Sequence, residues 1–231
     1  MASKIALIVV DMQHDFCHPQ GSLSVSGAME CVPLVNRLLD SRKISYKVAT
    51  KDWHPQNHIS FASNHDGKEP FTSFIQMSNH VGGKPDEKMQ QRLWPDHCVQ
   101  KTKGSELLSE LHLGKVDLII EKGSDERVEM YSAFSDSFGN MTAGRGGVNY
   151  DLTAKLKEQS IDDVYVVGIA GDYCVNYTAL DAAKAGFKTY VIEDGQRCVS
   201  ADSWKDVCQG FIKGGVTVVG EQEHVVQSLL E

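Results

Sequence analysis

Val164-Tyr-Val-Val-Gly-Ile-Ala-Gly-Asp-Tyr-Cys174 is an apolar, β-branched run that gives way to small residues, an acid and a thiol. A short continuous run of this kind reads as a strand buried on both faces, as in parallel sheets. The Ala-rich stretch 174–185 behind it closes on Gly186, a residue suited to ending a helix. A strand therefore hands over to a helix at Cys174. Working outward, Ile5-Ala-Leu-Ile-Val-Val10 ends on Asp11, and Val116-Asp-Leu-Ile-Ile-Glu121 ends on Lys122. Tyr46-Lys-Val-Ala-Thr50 leads into Asp52-Trp53-His54. Six strands are expected, at 5–10, 46–50, 118–121, 164–168, 188–192 and 216–219.

Helical patterns lie between them. Residues 28–42 put Val32, Val35, Leu38 and Leu39 on one face, with Pro33 tolerated in the first turn. Shorter helices are expected at 105–111 and 150–159. Ser203-Trp-Lys-Asp206 resembles a capping box opening a helix with Val207 and Phe211. The alternation implies an α/β fold of three layers, α/β/α, around a six-stranded, mainly parallel, doubly wound sheet. Ligands of such sheets bind outside the carboxyl ends of the strands. An acid, a cation, a thiol and an Asp-x-His pair would then share one crevice. Two stretches break the alternation. Residues 55–104, rich in His, Pro and Gly, read as an excursion that builds the site. Residues 123–149, ending in Gly144-Arg-Gly-Gly147, read as a partial lid.

At 231 residues and 41% hydrophobic, the chain suits one domain, 1–231, with a large core. A formal charge of −8 with no basic stripe argues against nucleic acid and against an anionic membrane surface. No apolar stretch approaches the roughly 20 residues of a spanning helix. The first apolar run is stopped by Asp11 and does not read as a signal peptide. Cys17, Cys31, Cys98, Cys174, Cys198 and Cys208 are scattered without a C-x-x-C pair. That favours reduced thiols and an intracellular setting.

Taken singly, each reactive residue has a bland use: a buried thiol, a turn aspartate, a snorkelling lysine. Together they make chemical sense. A thiol at a helix N-terminus is favoured as thiolate, and free backbone N–H groups there can hold an oxyanion. A carboxylate can take the thiol proton, and a cation at about 4 Å contributes about 4 kcal/mol at an effective dielectric near 20, before desolvation opposes it. Asp52 and His54 alternate along an extended segment and point to one side. A further histidine would complete a two-His, one-carboxylate metal set with open positions. His58, His65, His80 and His97 are candidates, and spacing does not choose among them.

The chain resembles the nicotinamidases of the isochorismatase-like cysteine hydrolase superfamily over nearly its whole length. The resemblance rests on Val9-Val-Asp-Met-Gln-His-Asp-Phe16, Thr50-Lys-Asp-Trp-His-Pro55, His58-Ile-Ser-Phe-Ala62, Leu93-Trp-Pro-Asp-His-Cys-Val99, Lys122-Gly123, Tyr131-Ser-Ala-Phe134 and Val167-Gly-Ile-Ala-Gly-Asp-Tyr-Cys-Val175. It implies a triad of Asp11, Lys122 and Cys174, and one divalent metal on Asp52, His54 and His97. Zinc is the first expectation for that metal, with iron or manganese also accommodated. It implies a cis peptide between Ile169 and Ala170, an oxyanion site at the N–H groups of Ala170 and Cys174, and ring-stacking by Phe16, Trp94 and Tyr173. The implied activity is hydrolysis of nicotinamide, and of pyrazinamide, through a cysteine thioester, feeding NAD salvage. The alternatives are a metal-independent hydrolase of carbamoyl or ureido compounds and a non-catalytic metal-binding member of the fold. A homo-oligomer is left open.

Overall fold

The computed structural model describes residues 3–140 and 148–231. Within them the chain forms β1 (Ile5–Val10), α1 (His14–Cys17), α2 (Val32–Asp40), β2 (Tyr46–Asp52), β3 (Phe74–Asn79), β4 (Lys84–Arg92), β5 (Leu118–Lys122), α3 (Leu152–Glu158), β6 (Asp163–Ile169), α4 (Cys174–Lys184), β7 (Lys188–Arg197), α5 (Trp204–Gly214), β8 (Val216–Val219) and α6 (His224–Leu230). The main sheet has six strands in the order β5-β2-β1-β6-β7-β8, all paired in parallel. The order reverses beside β1, where a doubly wound sheet opens its crevice.

The three layers follow from strand alternation. Leu7 and Val9 of β1 pack with Val35, Leu38 and Leu39 of α2 and with Val226 and Leu229 of α6. Ala6, Ile8 and Val10 face Leu152 and Leu156 of α3, Val175 and Ala179 of α4, and Phe211 of α5. β1 thus has apolar layers on both sides, which is why its sequence is continuously apolar. Burying each such side chain contributes about 1.5–3 kcal/mol. No helix among the described residues is long and apolar enough to cross a membrane.

Several expectations need correction. Residues 105–111 are not a helix. A 3-10 turn at Lys103–Ser105 is followed by a segment whose backbone bonds run to α1: Leu108 N–H donates to Met12 O and His14 N–H to Glu106 O. Leu108 and Leu111 are buried by this crossing, so their spacing imitates a helix face. The capping box also fails. A 3-10 turn, Ala201–Ser203, leads directly into α5, and the Ser203 hydroxyl lies within hydrogen-bond reach of Asp172 and Ser200 O instead of capping the helix. The helix expected from residue 28 begins as a 3-10 turn, Ala28–Cys31, before α2. The stretch 55–104 carries an antiparallel hairpin, β3–β4, with strands so exposed that no period marks them. α6 was not anticipated. The lid expected at Gly144-Arg-Gly-Gly147 lies outside the described residues.

Candidate active site

Four strand ends converge as the order β5-β2-β1-β6 requires. Asp11 follows β1, Asp52 ends β2, Lys122 ends β5, and Cys174 opens α4 just after β6. Asp11 sits in the left-handed region at φ 46°, which Asp tolerates better than most residues. Its N–H donates to Thr50 O, and its Oδ1 accepts from the Thr50 hydroxyl at 2.7 Å. The other oxygen, Oδ2, lies 2.9 Å from Lys122 Nζ. Lys122 also donates to Asp52 Oδ1 and to Met130 O, and its Nζ is 3.4 Å from Cys174 Sγ. Lys122 and Asp11 are fully buried.

Burial decides the proton positions. It pushes Asp11 up to about 6 although Lys122 pulls the other way. It also pushes the Cys174 thiol well up, and the nearby ammonium does not reverse this. The pull of the cation, reckoned from the sequence before desolvation, is opposed here by burial of the thiol. Burial pushes Asp52 up as well, but Lys122 and His54 outweigh it and hold this carboxyl below the usual range. Burial disfavours the Lys122 ammonium, yet Asp11 and Asp52 keep it protonated. The resting centre holds a protonated cysteine beside a carboxylate able to accept its proton.

A donor set lies on the other side of Asp52. Its Oδ2 is 3.4 Å from His54 Nε2 and 3.8 Å from His97 Nε2. Both histidines place Nδ1 against a backbone carbonyl, Gly123 O and Pro95 O respectively. A carbonyl only accepts, so each Nδ1 carries a proton, which leaves Nε2 as the nitrogen a metal would bind. Among the described residues His54 Nε2 is buried without a hydrogen-bond partner. An unpartnered buried ring nitrogen facing a carboxylate and a second imidazole fits a divalent transition ion. Gly123 makes the approach feasible: at φ 70° it leaves room for the His54 ring, and a Cβ there would lie 2.4 Å from Cε1. Of the other candidates, His58 stacks on His54 with both nitrogens engaged, by Ser60 and Val128 O. His65 bonds Ile59 O, and His80 is exposed. His58 and Glu129 form a second buried grouping around His54, but it would compete for the same Nε2.

Phe16, Trp94, Tyr173, Ala170 and Cys174 line one cavity with Asp52 and His97. Trp94 and Tyr173 meet edge to face with centroids 4.9 Å apart. The peptide between Ile169 and Ala170 is cis. Neither Ala170 N–H nor Cys174 N–H has a backbone partner among the described residues. Leu23, Val25, Tyr131 and Val199 complete the lining and were not anticipated there. Tyr131 had a signal, the Tyr131-Ser-Ala-Phe134 motif. Its hydroxyl accepts from Trp94 Nε1 at 3.0 Å and Gln91 Nε2 at 2.8 Å, fixing the indole. The aliphatic residues carry no motif. A larger cleft of about 550 Å³ lies among Glu30, Arg37, Arg197 and Trp204. Its arginines pair with Glu221 and Glu30, and its one cysteine, Cys198, lies 3.6 Å from Gln196 Oε1.

The isochorismatase domain model matches residues 5–223. The chain is 41% identical over 226 residues to the nicotinamidase of Acinetobacter baylyi, covering 97% of this chain and 96% of the relative. It is 35% identical to the yeast nicotinamidase solved with the inhibitor nicotinaldehyde, with a TM-score of 0.85 over 94% of this chain and 99% of that one. The pyrazinamidase of Pyrococcus horikoshii, solved in complex with zinc, is 33% identical with a TM-score of 0.70, covering 94% and 99%.

Proposed function

The chain belongs to the isochorismatase family, and from that premise we propose that it is an amidohydrolase cleaving nicotinamide to nicotinate and ammonia. The observation that carries the reading is the contact of one buried ammonium, Lys122, with Asp11 and Cys174, beside a cavity walled by Phe16, Trp94 and Tyr173. Nicotinate produced in this way would feed NAD salvage. Release of ammonia from the purified protein given nicotinamide tests the proposal directly.

The mechanism starts from the protonated thiol. Asp11 takes the Sγ proton as Cys174 attacks the carboxamide carbon, so thiolate exists only as the bond forms. Lys122 offsets the negative charge passed between Sγ and Asp11. The N–H groups of Ala170 and Cys174 receive the oxyanion, an effect worth on the order of 100- to 1,000-fold. Asp11 returns its proton to the departing ammonia, leaving a nicotinoyl thioester. Water deprotonated by Asp11 then releases nicotinate and restores the thiol. Phe16, Trp94 and Tyr173 hold the ring between flat apolar walls. Asp52 Oδ2, His54 Nε2 and His97 Nε2 would hold the metal, zinc before iron or manganese, and its open positions would accept a pyridine nitrogen.

The donor set has its own test. His54→Ala or His97→Ala is expected to lose the bound ion and raise the Michaelis constant for nicotinamide. Metal analysis of the purified variants decides it. Stoichiometric metal in both would remove these residues from the ligand set.

Substrate choice follows from the same geometry. Benzamide has the shape of nicotinamide but no ring nitrogen, so it forgoes the orienting contact. Its kcat/KM is expected to be lower by at least about 100-fold, or about 2.7 kcal/mol. Pyrazinamide keeps a nitrogen at the matching position and is expected to be hydrolysed. Comparable specificity constants for benzamide and nicotinamide would rule out recognition through the ring nitrogen.

A further inference from the structure

Gln13 has no part in the chemistry above, yet both the nitrogen and the oxygen of its carboxamide are engaged. Nε2 donates to Asp52 O at 2.8 Å and to Ser105 O at 3.1 Å. Oε1 accepts from Asp52 N–H at 2.7 Å. The side chain is fully buried. The amide orientation is forced, because two of its partners are carbonyls and the third is an N–H.

The backbone explains why such a side chain is needed. β1 ends at Val10, while β2 continues to Asp52. On its far side the end of β2 is still paired with β5, at Asp52 and Lys122. On the β1 side no strand remains to take the N–H and C=O of Asp52. A buried backbone pair left unmet would cost about 1–3 kcal/mol per group. The Gln13 carboxamide supplies the missing rung, one donor and one acceptor in the place a neighbouring strand would offer them. Its second N–H reaches Ser105 O and ties in the segment that follows His97.

The same turn reaches the third donor. Asp15 Oδ2 accepts from the N–H of Cys98, the residue after His97, at 2.8 Å. Gly104 leaves that carboxylate its space, since a Cβ there would lie 2.0 Å from Asp15 Oδ2. Two side chains from one short turn therefore fix the backbone beside two of the three donors.

We propose that Gln13 is the positioning residue of the metal centre: by completing the sheet ladder at Asp52 it sets where that carboxylate meets His54, His97 and Lys122. The proposal rests on the reading of Asp52, His54 and His97 as metal ligands. Gln13→Met keeps the stem and volume and removes all three hydrogen bonds. Titration of metal-free protein with zinc against a chromophoric chelator is expected to give a dissociation constant weaker by about 10- to 100-fold. Val226→Ala, which loosens the buried contact of α6 with the sheet, is the control: it is expected to lower the melting temperature and leave zinc affinity unchanged. A folded Gln13→Met protein binding zinc within threefold of the parent overturns the proposal. So does a Val226→Ala protein losing as much affinity, since general loosening would then suffice.

Should Gln13→Met not fold, hydrogen exchange in the parent protein decides. The Asp52 amide is expected to be protected like the amides of β1, and exchange at the rate of an exposed loop overturns the proposal. A parent protein that binds no zinc overturns the ligand reading instead, and the Asp52 amide then still reports whether Gln13 holds it.

Discussion

Cys174→Ala is expected to lower kcat/KM for nicotinamide by at least about 10,000-fold, about 5.4 kcal/mol of transition-state stabilisation. The loss is this large because in the proposed mechanism the thiol is the atom that bonds to substrate, and no neighbour replaces it. Asp11 could still activate water, but without a nucleophile held over the carbonyl the step loses its near-attack geometry. The fold should hardly respond. Cys174 lies at the first position of α4, 5% exposed, and losing one sulfur opens less space than a methylene-scale core truncation. Lys122 keeps Asp11, Asp52 and Met130 O as partners. Metal content and melting temperature should therefore match the parent protein. Full turnover in the Ala variant would end the thioester mechanism.

The parallel sheet was readable because strands buried on both faces cannot be anything but continuously apolar. The start of every main-sheet strand was legible within a residue. Strand ends were less so: β7 runs on to Arg197 through Glu193-Asp194-Gly195-Gln196, where burial no longer shapes the sequence. The hairpin β3–β4 stayed hidden for the same reason, with most of β4 exposed. The four strand ends that carry Asp11, Asp52, Lys122 and Cys174 followed from topology once the strands were right. The third histidine did not. His58, His65 and His97 differ in burial and in what each ring nitrogen meets, and only His97 is brought against Asp52, from a segment distant in sequence. Gln13 stood in a quoted motif without a role, because its partners are backbone groups that sequence does not mark.

The protonation state of the nucleophile was the sharper lesson. A helix N-terminus and a nearby lysine both favour thiolate, and counting them alone predicts a low pKa. Cys174 and its neighbours are buried together, however, and the low dielectric that strengthens the attraction also penalises the charge. Asp11 and Asp52, which Lys122 also contacts, repel a thiolate and so work with burial against the pull of the ammonium. The outcome favours Asp11 as a true proton acceptor rather than a bystander. Its own value near 6 places it where a group can both take and return a proton near neutrality.

Lys122→Met is expected to destabilise the metal-free protein by about 3–5 kcal/mol and to lower kcat/KM by at least about 1,000-fold. Methionine fits the volume but removes the cation from between two buried carboxylates. Asp11 and Asp52 then face each other uncompensated, and the cheapest response is for one of them to take up a proton. Asp11, already raised to about 6, is the one that yields. A protonated Asp11 cannot accept the Cys174 proton, so activity falls together with stability. The double variant Lys122→Met, Asp11→Asn separates the two effects. Asparagine carries no charge and can still accept from the Thr50 hydroxyl that now bonds Asp11 Oδ1. Urea unfolding should show much of the lost stability returning in the double variant, while turnover stays absent because no base remains. Were Lys122→Met as stable as the parent within about 1 kcal/mol, buried charge compensation by this lysine would be refuted, because losing one member of a buried ion pair costs more than that.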